Sequence, residues 1–192
     1  GLYIDSRNWD WVKYPVLRID LNTERYAHPG LLDNVLDNLF RKWEAAYGVV
    51  ANDNTYSQRF SNIIQAAHEK TGRQVVILVD EYDKPLVGNL NKDENLEHYR
   101  EKLATLYSNF KSSASHIRLV FLTGVSRFSK LSVFSDLNNL KDITFSNEFA
   151  DICGITEEEL VSDLKDGVKK LAQANKTSVE KAYSDLKKNY DG

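Results

Sequence analysis

The sequence has 192 residues, of which 42% are hydrophobic and 28% charged, with 9 glycines and 3 prolines, an ordinary composition for a globular domain. This composition excludes collagen-like, low-complexity and intrinsically disordered chains. The formal net charge is −3, so no overall positive charge points to a nucleic acid or an anionic membrane as a partner.

Cysteine usage and hydropathy indicate the compartment. Cys153 has no second cysteine with which to form an internal disulfide, which fits a reducing environment. The longest apolar run, from Val75 to Val79, is five residues, whereas a membrane-spanning helix needs about 18. We therefore expect a cytoplasmic protein that makes no membrane contact.

Apolar periodicity predicts alternating strands and helices over the first two thirds of the chain. Strands are predicted over 15–21, 75–79 and 118–125, because these runs are short and rich in branched apolar residues. Helices are predicted over 29–47, 55–70 and 93–111, where apolar residues recur at spacings of three and four. Such alternation indicates an α/β fold with a parallel sheet and right-handed crossovers.

Signals in the last third are mostly helical. A short strand is predicted over 142–145, followed by two helices. Thr156 with Glu159, and Thr177 with Glu180, have the spacing of capping boxes ahead of apolar residues. We expect a main domain over 1–150 and a helical extension over 151–192.

Two neighbouring carboxylates, Asp80 and Glu81, directly follow the most apolar predicted strand. Ligands of open α/β sheets bind at the carboxyl ends of the strands. In a nucleotide hydrolase an aspartate at this place holds Mg²⁺, and an adjacent glutamate orients or deprotonates the attacking water. The alternative, from these residues alone, is a core strand that leaves the interior through polar residues.

Three ordered segments resemble the AAA-ATPase-like domain family of bacterial P-loop proteins. They are ILVDEYDKPLV at 77–87, FLTGVSRFSKLSVFSDLNNLKDITF at 121–145 and ADICGITEEEL at 150–160. The resemblance implies a P-loop NTPase sheet over 1–150, in which the DEYD segment is the Walker B motif. It implies that Asp80 binds Mg²⁺, that Glu81 acts in catalysis, and that the segment after the third strand senses the γ-phosphate of ATP.

Polar residues of that sensing segment are further candidates for the site. Thr123 and Ser126 offer hydroxyl donors, and Arg127 is expected to stabilise charge that develops during phosphoryl transfer. The alternative for Arg127 is a solvated residue of a turn. A second interpretation takes Gly124, Ser129 and Lys130 as a degenerate phosphate loop, although it lacks the second glycine of that motif.

The sequence departs from the family in one respect. No GxxxxGK(S/T) motif precedes Asp80, so the first strand and the phosphate loop of the family are missing. The chain therefore looks like a middle fragment of a longer protein. We expect ATP and Mg²⁺ to bind in the complete protein, and neither to be held tightly by this chain.

The leading hypothesis is an ATPase that uses hydrolysis as a conformational switch in the complete protein. The expected partner is another protein or an accessory nuclease-like domain of the same polypeptide, with nucleic acid contacted only indirectly. Two alternatives remain: a non-catalytic interaction module, and a part of a nuclease-linked, defence-type protein.

Overall fold

A computed structural model describes residues 8–50, 55–90, 93–125 and 140–190 of the chain. Contacts within the chain divide it into two compact units, 1–140 and 141–192. The first unit holds a small sheet with its helices, and the second holds short helices with a core of their own.

The sheet of the first unit is parallel and has three strands in the order β1-β2-β3. β1 covers Val16–Asp20, β2 covers Val75–Asp80 and β3 covers Ile117–Leu122. The run of β-branched residues at the centre of the sequence therefore forms the central strand. These bounds confirm the three strands predicted in the first two thirds of the chain.

Helices connect the strands. Between β1 and β2 lie α1 (Gly30–Tyr47) and α2 (Tyr56–Thr71), and between β2 and β3 lie α3 (Lys84–Val87) and α4 (Asp93–Ser112). A capping box starts α2, and glycines in the left-handed conformation follow both α1 and α2. The long helices are those that periodicity predicts, whereas α3, at four residues, is too short to show a period.

One face of the sheet packs against the long helices. Buried side chains of β1 and β2 belong to the same core cluster as apolar residues of α1, α2 and α4. The strand members of this cluster are Leu17, Ile19, Val75, Ile77 and Val79. Because side chains alternate along a strand, this face takes every second residue of β1 and β2.

The opposite face of the sheet is apolar but exposed. Its apolar positions are Val16, 48% exposed, Leu119, 50% exposed, Phe121, 36% exposed, and Val76 and Leu78, which are half-buried on the central strand. We call these five residues the open sheet face. Parallel sheets normally carry helices on both faces, so this face has the character of a surface that another segment covers.

A cluster of ion pairs joins α1 to α2. The Arg59 guanidinium donates from Nε and Nη2 to the two Glu44 carboxylate oxygens, at 2.6 and 2.8 Å, and from Nη1 to Asp37 Oδ1 at 2.6 Å. The Arg59 side chain is only 12% exposed and Glu44 is buried. Arg59 therefore joins the two helices through a stable, largely buried set of ion pairs, which we call the Arg59 clamp.

The second unit contains a 3₁₀ turn at Asn147–Phe149 and the helices α5 (Glu157–Ser162), α6 (Lys165–Ala174) and α7 (Val179–Tyr190). The buried residues of its core are Val168, Ala172 and Ala182. The capping box predicted at Thr156 is confirmed, since Thr156 and Glu159 bond reciprocally.

Two local predictions for this region are wrong. Residues 142–145 do not form a strand: Thr144 and Phe145 lie in a turn that the Ser146 N–H closes on the Ile143 carbonyl at 3.1 Å. The backbone N–H of Thr144 donates to Asp142 Oδ1 at 3.0 Å, which competes with strand pairing. The residue that caps α7 is Ser178 rather than Thr177, since the Ser178 hydroxyl accepts from the Lys181 N–H at 3.1 Å.

Among the helices described here, none combines the length and the apolar character that crossing a bilayer requires.

Candidate functional site

The candidate site lies where β2 ends. Asp80 is the last residue of β2, and its carboxylate stands on the open side of the sheet at the rim formed by the strand ends. Its Oδ1 accepts a 2.6 Å hydrogen bond from the Thr123 hydroxyl, which follows β3. The structure therefore brings together two of the residues predicted for the site.

A second carboxylate stands beside Asp80 on the neighbouring strand. Asp20 ends β1 and is paired in register with Asp80, at the usual separation of parallel strands, about 4.8 Å. Arg18 lies two residues earlier, on the same side of the sheet. Its Nη2 approaches Asp20 Oδ2 at 3.4 Å and Asp80 Oδ2 at 3.3 Å. The rim thus carries two carboxylates that share one arginine nitrogen.

These donors favour the ionised form of Asp80. The hydrogen bond from Thr123 lowers the pKa of the Asp80 carboxyl most, and the nearby Arg18 guanidinium lowers it further. Asp80 is therefore a carboxylate throughout the physiological pH range. Because it remains partly exposed, it is also accessible to a cation from solvent.

Glu81 adopts an unusual backbone conformation. Its φ is +55°, in the left-handed region that residues other than glycine rarely occupy. In the part of the chain that the structure describes, its carboxylate has no hydrogen-bond or ion-pair partner. Backbone strain of this kind is common at functional sites. Glu81 has both such strain and a carboxylate that no described residue binds, which makes it a candidate for the site.

Behind the rim, the β2–α3 turn and the end of β3 fit closely together. The Tyr82 N–H donates to the Thr123 carbonyl at 2.9 Å, and the Val125 N–H donates to the Oδ1 of the buried Asp83 at 3.3 Å. A Cβ on Gly124 would lie 2.5 Å from that Asp83 oxygen and 2.7 Å from the Tyr82 ring. Only glycine allows this approach, which fixes Thr123 opposite Asp80.

Other predicted site residues fall outside the described part of the chain. Ser126 and Arg127 lie there, and so do Ser129 and Lys130, which the degenerate phosphate loop requires. Their roles stay predictions. The close contact of Gly124 with Tyr82 and Asp83 gives that glycine a packing role in the described structure.

The donor set of the rim consists of oxygen atoms. In the described ranges, no three His, Cys, Asp or Glu side chains converge in a way that would hold a metal ion. The rim has two carboxylates, which suits Mg²⁺, because that ion is usually bound by one or two carboxylates together with water and substrate phosphates. A dedicated protein cage is not needed for it.

Comparison with known proteins gives the family. A family model described as predicted AAA-ATPase, of the AAA-ATPase-like type, matches residues 1–134. The chain belongs to this AAA-ATPase-like family. The match covers all three strands and the rim residues Arg18, Asp20, Asp80, Glu81 and Thr123.

A relative and a search of solved structures complete the comparison. The chain is 40% identical over 161 residues to a protein of Azotobacter chroococcum called "Uncharacterized protein in vnfD 5'region". That alignment includes 83% of this chain and 31% of the relative, so the chain spans about a third of the relative's length. No solved structure matches the chain.

Sequence reasoning missed Arg18 and Asp20 as parts of the site, and it considered Gly124 only as part of a degenerate phosphate loop, not for its packing role. Asp20 had one available signal, since it ends a predicted strand as Asp80 does. The bridge from Arg18 to Asp80 spans 62 residues and depends on strand register, which a single sequence does not reveal. The role of Gly124 arises from a tertiary contact and has no local signature.

Proposed function

We propose that the chain is the Mg²⁺-binding and water-activating part of an ATPase whose complete form hydrolyses ATP to drive a conformational switch. The observation that carries this proposal is the rim of the sheet. An ionised Asp80 held by Thr123 ends the central parallel strand, and Glu81, whose carboxylate has no partner among the described residues, follows it. Membership of the AAA-ATPase-like family supports the same activity.

The residues at the rim fit a divalent cation. Asp80 and Asp20 present hard oxygen ligands side by side, and both are partly open to solvent. Bound at this place, Mg²⁺ would supply positive charge to the phosphate oxygens at which negative charge develops. In this proposal Asp80 is the carboxylate that holds the ion.

The same rim assigns separate tasks to the other residues. Glu81, whose carboxylate is not engaged by described residues, accepts a proton from water and orients it for attack. Thr123 fixes the orientation of the Asp80 carboxylate through Oδ1 and leaves Oδ2 for the cation. Ser126 and Arg127 follow Thr123 closely in the chain and are proposed to contact the terminal phosphate.

Besides these contacts, the phosphates of ATP require the donors of a phosphate loop. A phosphate loop contributes backbone N–H groups, a lysine and a hydroxyl, and no GxxxxGK(S/T) motif occurs here. We propose that this loop belongs to a part of the complete protein beyond the present sequence. The open sheet face supports this, because its exposed apolar residues suit coverage by a further element of the same core.

Calorimetric titration with Mg·ATP tests whether this chain supplies the cation site and another part of the complete protein supplies the phosphate loop. The complete protein should bind Mg·ATP, Asp80→Asn should weaken that binding, and the isolated chain should bind at least a hundredfold more weakly than the complete protein. A complete protein with no affinity for Mg·ATP would overturn the ATPase assignment. Micromolar affinity of the isolated chain for Mg·ATP would overturn the proposal that the phosphate loop lies outside this sequence.

A further inference from the structure

The two rim carboxylates create an electrostatic problem that Arg18 resolves. Asp20 and Asp80 are direct neighbours across β1 and β2, and two like charges at this distance repel. Arg18 projects from the same side of β1, and one nitrogen of its guanidinium reaches both carboxylates. Among the described residues, Arg18 is the cation within ion-pair distance of both carboxylates.

The Arg18 contacts have the geometry of weak ion pairs, from which the guanidinium can be displaced. They measure 3.3 and 3.4 Å and use a single nitrogen, whereas strong charge-assisted hydrogen bonds lie near 2.7–2.9 Å. The Arg18 side chain is 61% exposed. Arg59 in the same molecule makes two-pronged contacts at 2.6–2.8 Å with 12% exposure, which is the geometry of a permanent pair.

The two carboxylate oxygens of Asp80 therefore have partners of different kinds. Oδ1 is held at 2.6 Å by the neutral hydroxyl of Thr123, which keeps the carboxylate in one orientation. Oδ2 faces the loosely held Arg18 cation. A divalent cation at Oδ2 would bring more charge to this place than Arg18 does, and it would repel the guanidinium.

We propose that Arg18 is a placeholder for the divalent cation. It neutralises Asp20 and Asp80 while the metal is absent, and it is displaced when the metal binds Oδ2 of Asp80. Arg18 is thus a positioning residue that lowers metal affinity and keeps the rim assembled in the empty state. This inference rests on the proposed function, because it requires that Asp80 is the metal ligand.

The test uses Mn²⁺ as a probe for Mg²⁺. The weak binding expected of this chain is measured from electron paramagnetic resonance of free Mn²⁺, in titrations at high protein and Mn²⁺ concentration. Arg18→Gln should bind Mn²⁺ about two- to fivefold more tightly than the unmodified chain, the range expected for losing an exposed competing charge. Arg18→Lys retains the charge and should bind close to the unmodified chain. Arg73→Gln makes the same change of net charge at an exposed position before the start of β2 and should leave affinity unchanged.

The outcomes separate this inference from the metal site itself. Equal or weaker binding by Arg18→Gln, with binding abolished by Asp80→Asn, would overturn the placeholder role and leave the metal site standing. If Mn²⁺ binds neither the unmodified chain nor Arg18→Gln, or if Asp80→Asn binds normally, the metal site fails and this inference fails with it.

Discussion

Asp80 ends β2, and Thr123 directly follows the neighbouring strand β3, 43 residues later in the sequence. A 2.6 Å hydrogen bond joins the Thr123 hydroxyl to the Asp80 carboxylate. The bond links the two segments that the family resemblance marks as Walker B and sensor. This contact would therefore transmit a nucleotide-dependent movement of either segment to the other.

Replacing Thr123 tests the strength of this link. Thr123→Val removes the hydroxyl that lowers the pKa of Asp80 most, so that pKa should rise toward its ordinary value of 3.8. Thr123→Ser keeps the hydroxyl and should retain the lowered pKa. Carboxyl carbon chemical shifts followed through an acid titration measure it, and an identical pKa in Thr123→Val would contradict the role of the bond.

Gly124 offers a test of the close fit behind the rim. Gly124→Ala places a Cβ 2.5 Å from Asp83 Oδ1, so we expect the free energy of unfolding to fall by about 1–3 kcal/mol. Gly167→Ala is the matched control, because nothing lies within 4 Å of its added methyl group and alanine favours α6. Thermal denaturation followed by circular dichroism compares the two, and a neutral Gly124→Ala would disprove the close fit.

The ion-pair cluster between α1 and α2 predicts a large effect at Arg59. Arg59→Met leaves the buried Glu44 carboxylate without its partner, and breaking such a pair costs about 3 kcal/mol. Arg41→Met removes only an exposed pair with Asp37 and should change stability by less than about 1 kcal/mol. Chemical denaturation measures both, and equal losses in the two variants would contradict the clamp.

The same cluster predicts part of the acid sensitivity. The hydrogen bonds from Arg41 and then Arg59 lower the pKa of Asp37 in the folded chain below its ordinary 3.8. Its contribution to stability is therefore complete above that value and is lost as the pH falls through the lower folded pKa. Asp37→Asn should lose less stability between pH 5 and about pH 2.5 than the unmodified chain, by about 1 kcal/mol or less.

Denaturant unfolding at several pH values measures this difference. Asp166→Asn is a suitable control, because Asp166 is exposed and its ion pair in the described part of the chain is with Lys169 of its own helix. An Asp37→Asn variant with the same acid dependence as the unmodified chain would show that the pairing leaves the folded pKa unchanged.

The open sheet face should be accessible to solvent in the isolated chain and covered in the complete protein. Leu119→Cys, in a Cys153→Ser background, should react rapidly with a thiol reagent in the isolated chain, because Leu119 is half-exposed there. In the complete protein the covering element should protect it. Asn62→Cys on the exposed side of α2 is the control and should react in both. Equal reactivity of Leu119→Cys in both proteins would contradict coverage of this face.

The sequence alone predicts the parts of the structure that depend on local pattern. The run from Val75 to Val79 is too apolar for a surface element, so both its central place and the position of Asp80 at its end follow from composition. Long helices such as α1 show several periods and end at a glycine, which fixes them within a few residues.

Other features could not be predicted because they depend on competition or on tertiary register. Asp142 draws the Thr144 N–H into a turn, although the neighbouring residues have ordinary strand propensity. The pairing of Arg18 with Asp80 requires knowing that β1 lies beside β2 with Asp20 opposite Asp80. Composition and spacing contain neither fact.

The most direct measurement of the central claim is steady-state ATP hydrolysis by the complete protein carrying Glu81→Gln, with Glu94→Gln as a control at an exposed position on α4. If Glu81 activates water, Glu81→Gln should lower turnover at least a hundredfold while Mg·ATP still binds, and Glu94→Gln should keep full activity. Turnover by Glu81→Gln equal to that of the unmodified protein would contradict the proposal that the rim of this sheet performs the hydrolysis.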